Sequence, residues 1–132
     1  MRKELVTKAI RAALKARRNA YAPYSRFAVG AAVVTKTGRI FSGANIENSS
    51  FGATVCAERV ALFSAVTAGY RDIKLLIVAA ILDSHAVPPC GICRQVFSDL
   101  CPNVRILLVN ADTGAVEKET TIAALLPERF EF

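Results

Sequence analysis

The chain lacks any apolar run long enough to cross a membrane. Its longest uninterrupted apolar run, residues 75–82, has the length of a strand, whereas a membrane helix needs about 20 apolar residues. The start of the chain also lacks the apolar core of a secretory signal peptide. We therefore expect a cytoplasmic protein with no membrane partner.

The sequence also lacks internal repeats, linkers and low-complexity segments, which predicts a single domain over residues 1–132. A chain of 132 residues that is 53% hydrophobic can bury a core without the help of disulfide bonds. We therefore expect its four cysteines to be free thiols in a reducing compartment rather than a disulfide framework.

Acidic residues are scarce near the N-terminus, where residues 1–26 carry eight Lys or Arg residues against Glu4 alone. On a helix at 100° per residue, the basic side chains share one side and the apolar ones the other, with Arg17 as the exception. The two sets are Lys3, Lys8, Arg11, Lys15 and Arg18, and Leu5, Val6, Ala9, Ile10, Ala13 and Leu14. A surface for RNA or membrane is one interpretation, but we favour a solvated face with a buried back and expect no nucleic-acid partner.

Hydrophobic patterns and turn residues predict alternating helices and strands after this first helix, which should end before Tyr21. Predicted strands are 27–35, 39–45, 73–82, 104–110 and a short 115–119, and predicted helices are 55–68, 91–100 and 121–126. Gly38 supplies the turn of the first hairpin, Thr54 caps the second helix, and Gly69 ends that helix. This alternation predicts an α/β fold with a sheet covered on both faces.

The chemistry is indicated by a divided cysteine motif. Cys56 stands two residues before Glu58, and Cys90 and Cys93 follow a Pro-Pro pair some thirty residues later. A catalytic zinc site has three protein ligands and leaves its fourth tetrahedral position to water, for which Glu58 could move the protons. Both half-motifs fall at predicted helix starts, where backbone N–H groups and the helix dipole stabilise thiolates.

Two other interpretations of these cysteines remain open at this point. Cys90 and Cys93 alone could form a redox pair, although that leaves Glu58 without a role. A structural zinc would need a fourth ligand, for which only His85 and Cys101 are available.

The chain resembles the small homotetrameric, zinc-dependent cytidine deaminases of pyrimidine salvage. The motifs that match run through nearly the whole chain: Tyr24-Ser25-Arg26-Phe27, Asn45-Ile46-Glu47-Asn48, Cys56-Ala57-Glu58-Arg59, Pro89-Cys90-Gly91-Ile92-Cys93-Arg94-Gln95 and Leu125-Leu126-Pro127. The resemblance implies a three-layer α/β/α fold with a mixed sheet of about five strands. Cysteine at position 56, where polynucleotide deaminases typically have histidine, points to the nucleoside branch.

The resemblance also implies a mechanism, in which Cys56, Cys90 and Cys93 hold one zinc ion per subunit. Zinc lowers the pKa of its water from about 15.7 towards 7, and the resulting hydroxide attacks C4 of cytosine. Glu58 takes the water proton, protonates ring N3 and later protonates the leaving ammonia. The expected products are uridine from cytidine and deoxyuridine from deoxycytidine.

Three thiolates on one divalent zinc leave a net negative charge that opposes ionisation of the water. Arg59 stands one helical turn after Cys56, where its guanidinium can donate to thiolate sulfur. In the family this arginine neutralises ligand charge, and Gln95 is expected to help orient it.

Substrate contacts are implied by the resemblance, and active sites shared between the subunits of a homotetramer are implied with them. Asn45 and Glu47 match residues that bind the ribose 3′-hydroxyl, and Phe27 matches an aromatic that packs on the base. The remaining expected substrate-binding residues are Ala57, Phe51 and Phe130, the last reaching across from a neighbouring subunit. Phe51 replaces a tyrosine found in many relatives, and Ile92 replaces a small residue, so the preferred substrate could differ.

Two rival functions remain. One is deamination of a cytosine-nucleoside antibiotic such as blasticidin S, although the presence of both Asn45 and Glu47 favours cytidine or deoxycytidine. The other is a non-enzymatic structural-zinc module that binds RNA through the basic first helix.

Overall fold

Two separate apolar clusters lie on opposite faces of one sheet in a computed structural model that describes all residues 1–132. Successive strand residues contribute alternately to the two clusters, because side chains of a strand point to opposite faces. In the first strand, Ala31 and Val33 belong to one cluster, and Ala32 and Val34 to the other. The predicted α/β/α layering and mixed sheet are confirmed.

The sheet contains five strands in the order β2-β1-β3-β4-β5. Only β3 and β4 pair in parallel, and the other neighbours are antiparallel. The strands are β1 Gly30–Thr35, β2 Ile40–Ala44, β3 Ile73–Ala80, β4 Arg105–Asn110 and β5 Val116–Thr121.

Four α-helices accompany the sheet: α1 Lys3–Arg17, α2 Ala57–Thr67, α3 Gly91–Leu100 and α4 Ile122–Leu125. The cluster on one face includes Ala9 and Ala13 of α1, and the cluster on the other includes residues of α2, α3 and α4. Among these helices, none combines the length and apolar character required to span a membrane.

Close contact between α1 and β1 depends on a glycine in the strand. A Cβ on Gly30 would lie 2.0 Å from the backbone oxygen of Ala13, so any larger residue would push the helix away. Arg17, the exception in the helical pattern, points towards this contact and donates from Nε to the carbonyl of Ala28 at 2.9 Å. The hydrogen bond to Ala28 therefore explains why Arg17 lies on the apolar side of the helix.

The element boundaries differ from the sequence prediction at two places that border the site. β1 begins at Gly30 instead of residue 27, because the Asn45 side chain bonds the backbone of Phe27 and Val29 in place of a strand partner. α2 is capped by Cys56 rather than Thr54, whose hydroxyl accepts from the backbone N–H of Asn48 instead.

Two further differences lie elsewhere in the chain. A short 3-10 helix, Phe51–Ala53, was not predicted, and β3 ends at Ala80 rather than at residue 82. The two residues beyond Ala80 lead into a tight turn between Leu82 and His85.

Candidate active site

Three cysteine side chains meet where two helices begin. Cys56 is the N-cap of α2, Cys90 is the N-cap of α3, and Cys93 lies in the first turn of α3. Their sulfur atoms all lie within 4.8 Å of one another. The chain therefore brings together all three residues predicted as zinc ligands, at two helix ends whose dipoles favour negative charge.

The spacing of the sulfur atoms suits a tetrahedral zinc ion. Ligands at about 2.3 Å from zinc in tetrahedral geometry stand about 3.8 Å apart, and the Sγ atoms of Cys56 and Cys90 are 3.7 Å apart. A disulfide would require about 2.05 Å, and all four cysteines are free. The donor set thus fits zinc, as either a Lewis-acid or a structural ion.

No fourth protein ligand joins this cluster. His85 is exposed, and its Nδ1 lies 3.9 Å from a carboxylate oxygen of Glu117. Cys101 is buried in the apolar cluster around α3, where desolvation raises the pKa of its thiol to about 12. Three donors with a free fourth position are typical of a catalytic zinc site rather than a closed structural one.

Neighbouring groups shift the pKa values of Cys56 and Cys93 in opposite directions. The pKa of Cys56 is lowered to about 5, mainly by the adjacent Cys93 thiol and further by the hydrogen bond from Arg59, against the opposing effect of burial. The adjacent Cys56 raises the pKa of Cys93, and burial adds to that rise. These neighbours favour the thiolate form of Cys56, which is the form that binds a cation.

Arg59 lies against the thiolates, as its position one turn after Cys56 predicts. Its terminal nitrogen donates to the Cys56 sulfur over 3.4 Å, and its buried Nε has no hydrogen-bond partner. Gln95 does not reach this guanidinium, because its amide donates to Asp99 and to the backbone oxygen of Phe130, both at 3.0 Å. The expected orientation of Arg59 by Gln95 is therefore absent within the chain.

Glu58 is almost fully buried, with 4% of its surface exposed, in the first turn of α2. Burial raises the pKa of its carboxyl group to about 7, and the negative charge of Cys56 adds to the rise. No other side chain hydrogen-bonds this carboxyl group, and it lines the same cavity as Cys56 and Cys90. A group with this pKa can both accept and release a proton near neutral pH.

The cavity beside the cysteines has a volume of about 490 Å³, within the usual range for a small-molecule site. Four of the predicted substrate-binding residues line it: Phe27, Asn45, Glu47 and Ala57. Phe27 and Ala57 supply apolar surface, while the other two supply polar groups near Glu58.

Asn45 and Glu47 both hold the loop that precedes β1. The Asn45 amide accepts from the backbone N–H of Val29 at 2.9 Å and donates to the carbonyl of Phe27 at 2.8 Å. The Glu47 carboxylate accepts from the backbone N–H groups of Tyr24 and Ser25 at 3.0 and 3.1 Å, and from the Ser25 hydroxyl. The hydrogen bonds from Ser25 lower the pKa of Glu47, which keeps it charged.

Phe51, Phe130 and Ile92 do not line this cavity. Phe51 is exposed, packs edge to face on Tyr24 and lines a neighbouring cavity that shares Ser25 and Glu47. Phe130 is also exposed and contacts Phe132. Ile92 is exposed on the first turn of α3 rather than directed at the cavity.

Sequence reasoning assigned no role to Ser25, Arg94 or residues 87–88, all of which line the cavity. Ser25 and Arg94 lie within the motifs shared with the deaminase family, so their place in those motifs could have identified them as cavity residues. Val87 and Pro88 had no such signal beyond their place before Cys90.

This fold and this site together define the zinc-dependent deaminases, whose signature joins a Cys-x-Glu or His-x-Glu half-motif to a later Pro-Cys-x-x-Cys. Residues 3–108 match the family model of the cytidine and deoxycytidylate deaminase zinc-binding region. The chain belongs to this family of zinc-binding deaminases and is a hydrolase.

Individual relatives agree with this assignment. The chain is 49% identical over 123 residues to a cytidine deaminase of Halalkalibacterium halodurans, covering 92% of this chain and 90% of the relative. It is 46% identical over 125 residues to a cytidine deaminase of Sporosarcina psychrophila, covering 95% and 90% of the two chains. A crystal structure of cytidine deaminase from Burkholderia pseudomallei superposes with a TM-score of 0.87 at 44% identity, covering 98% of this chain and all of the other.

Proposed function

We propose that this enzyme hydrolyses cytidine and deoxycytidine to uridine and deoxyuridine, releasing ammonia. The observation that carries the proposal is the buried Glu58 carboxyl group beside the three-cysteine cluster, at the wall of a cavity large enough for a nucleoside. The relatives described above are cytidine deaminases, which supplies the substrate class.

Cys56, Cys90 and Cys93 would hold one zinc ion per chain, since they provide a single set of three donors. When bound, zinc supplies the Lewis acidity that lets a water molecule lose a proton near neutral pH. Arg59 donates to the Cys56 sulfur and offsets the excess negative charge of the thiolates. The protein thereby keeps the ligand cluster close to neutral in a partly buried setting.

Glu58 carries the protons. Its carboxylate accepts the proton lost by the attacking water and delivers it to ring N3 as the new C4–O bond forms. It then takes the proton of the C4 hydroxyl group and passes it to the amino nitrogen, so that the C4–N bond breaks and ammonia leaves. Burial supports this cycle because it brings the pKa of Glu58 to about 7, between donor and acceptor behaviour.

The remaining cavity residues would orient the nucleoside. Phe27 offers an aromatic face for the base, and the charged Glu47 can accept a hydrogen bond from a ribose hydroxyl. Asn45 has one amide hydrogen left after its bond to Phe27 and can donate it to a hydroxyl group of the same ribose. These three side chains share one wall because Asn45 and Glu47 hold the loop that carries Phe27.

We further propose that the active enzyme is a homotetramer whose subunits complete one another's sites. Phe51 and Phe130 are 75% and 66% exposed, and neither enters the cavity of its own chain. Exposed aromatic side chains of this size are typical of interfaces. Phe130 of one subunit would close the cavity of its neighbour.

The test is an ultraviolet assay with cytidine, deoxycytidine, cytosine, cytidine monophosphate and blasticidin S, together with zinc stoichiometry and the mass in solution. Turnover of the two nucleosides, one zinc per chain and a tetrameric mass are expected. Preferential turnover of blasticidin S would show that the antibiotic, rather than cytidine or deoxycytidine, is the preferred substrate. Bound zinc without turnover of any compound would favour a structural-zinc module, which RNA binding would then test.

A further inference from the structure

The segment 82–89 lies between β3 and α3, and its last three residues, 87–89, line the cavity. It begins in a turn that local propensity does not favour. Leu82 and His85 exchange backbone hydrogen bonds of 2.9 and 3.0 Å across this turn. Its two central residues, Asp83 and Ser84, have φ values of 51° and 70°. Turns with two positive φ angles favour Asn-Gly or Asp-Gly, so this one needs support from elsewhere in the fold.

That support comes from one carboxylate and one amide on the last two strands. Glu117 of β5 accepts from the backbone N–H of Ala86 at 2.7 Å and from the Asn110 amide, also at 2.7 Å. The same Asn110 amide group donates to the carbonyl of Ser84 at 3.1 Å. Asn110 is itself 4% exposed, and its oxygen accepts from the backbone of the following turn.

The other end of segment 82–89 has a separate anchor. Arg94 of α3 donates from Nε to the carbonyl of Pro89 at 2.8 Å and from a terminal nitrogen to the carbonyl of Leu125 at 2.9 Å. Between the two anchors lie Val87 and Pro88, which line the cavity and carry no hydrogen bonds of their own. Val87 also packs against the larger apolar cluster, so the position of this pair depends on that packing and on what holds the two ends.

We propose that Asn110 and Glu117 are positioning residues that set the Val87–Pro88 wall of the substrate cavity from the far edge of the sheet. The proposal rests on the proposed function for its catalytic readout. Because Arg94 fixes Pro89 independently, loss of the Asn110–Glu117 anchor should move the wall without disturbing Cys90 or zinc binding. It should therefore raise KM while leaving kcat and zinc content nearly unchanged.

A reciprocal exchange of donor and acceptor tests the pair. In Glu117→Gln, one carboxylate oxygen becomes an NH2 group, which opposes either the Ala86 N–H or the Asn110 NH2. In Asn110→Asp, a carboxylate faces the carboxylate of Glu117. In the double variant, the glutamine oxygen can accept from Ala86 while its NH2 group donates to the new carboxylate at position 110.

Glu117→Gln is expected to raise KM for cytidine about tenfold, the effect of one lost hydrogen bond, and Asn110→Asp at least as much, because it also removes the donor to the Ser84 carbonyl. The double variant should restore the bonds made by residue 117 but not the bond to the Ser84 carbonyl, to which a carboxylate cannot donate, so its KM should lie between the parent value and that of Asn110→Asp. Glu119→Gln is the matched control, because Glu119 lies on the same strand and pairs only with Arg105. It should leave KM within twofold of the parent value.

Amide hydrogen exchange at Ala86 gives a second readout that needs no substrate. Exchange should accelerate about tenfold in both single variants and return towards the parent rate in the double variant. Unchanged KM and unchanged exchange in Glu117→Gln would overturn the proposal, as would a double variant no better than the worse single one. If the parent enzyme turned over no nucleoside, the proposed function would fail, and the exchange rates would still decide whether this pair holds the wall.

Discussion

Replacing Arg59 by glutamine should weaken zinc binding or turnover. The guanidinium donates to the Cys56 sulfur at 3.4 Å and carries the positive charge next to a cluster of three thiols. Three thiolates and one zinc ion sum to a net charge of minus one, and Arg59 brings the group to zero. Glutamine keeps much of the side-chain volume and can still donate a neutral hydrogen bond, so the substitution removes mainly the charge.

The expected size follows from the one hydrogen bond and its charge. A hydrogen bond to a charged group contributes about 1.5–3 kcal/mol, which corresponds to roughly 10- to 150-fold in affinity or rate. Changes to groups that contact metal ligands typically cost about 10- to 100-fold, which agrees with this range. We therefore expect zinc affinity or kcat to fall at least tenfold.

Zinc affinity is measured by competition with a chelator, and kcat by the loss of cytidine absorbance at saturating zinc. Arg71→Gln is the control, since Arg71 is exposed just beyond α2 and makes no hydrogen bond or ion pair from its side chain. Comparing the melting temperatures of chelator-treated proteins separates a folding defect from a metal defect. Zinc affinity and kcat both within twofold of the parent values would refute the neutralising role of Arg59.

Three further outcomes are expected. Glu58→Gln should keep its zinc but lose about 10²- to 10⁴-fold in kcat; near-normal turnover would remove Glu58 from the mechanism. Ser25→Ala removes the main cause of the lowered pKa of Glu47, so on acidification KM should begin to rise at a higher pH than in the parent, and identical pH profiles of KM would contradict this. Leu62→Ala removes most of a fully buried side chain of the larger apolar cluster. It should lower the free energy of unfolding, measured in urea, by about 2–5 kcal/mol. A loss below about 1 kcal/mol would show that neighbouring side chains fill the cavity left by Leu62.

Local signals were sufficient wherever a structural feature depends on neighbouring residues. The bounds of α3, Gly91–Leu100, agree with the prediction because two prolines precede the helix and end any regular structure before it. The hairpin turn at Gly38 has the positive φ of 91° that its glycine suggested. Each cysteine half-motif begins a helix, as its local sequence predicts.

Features that depend on distant partners were not predictable in this way. The late start of β1 results from the Asn45 side chain, which takes hydrogen bonds that a strand partner would otherwise make. The N-cap of α2 is Cys56 rather than the predicted Thr54, because the Thr54 hydroxyl accepts a hydrogen bond from the backbone N–H of Asn48. In both cases a side chain competes with regular backbone pairing, and propensity alone does not say which bond is formed.

The chemical step and the choice of substrate therefore depend on different kinds of sequence information. Each half of the zinc site lies at one helix start, so the spacing of a short motif determines the geometry within that half. The walls that would contact the nucleoside are loops held from a distance, by Glu47 on one side and by Glu117 on the other. Substitutions at such anchors can reshape the cavity while every motif residue remains in place. Relatives with the same cysteines and glutamate can consequently differ in substrate, and the anchors are where that difference should be sought.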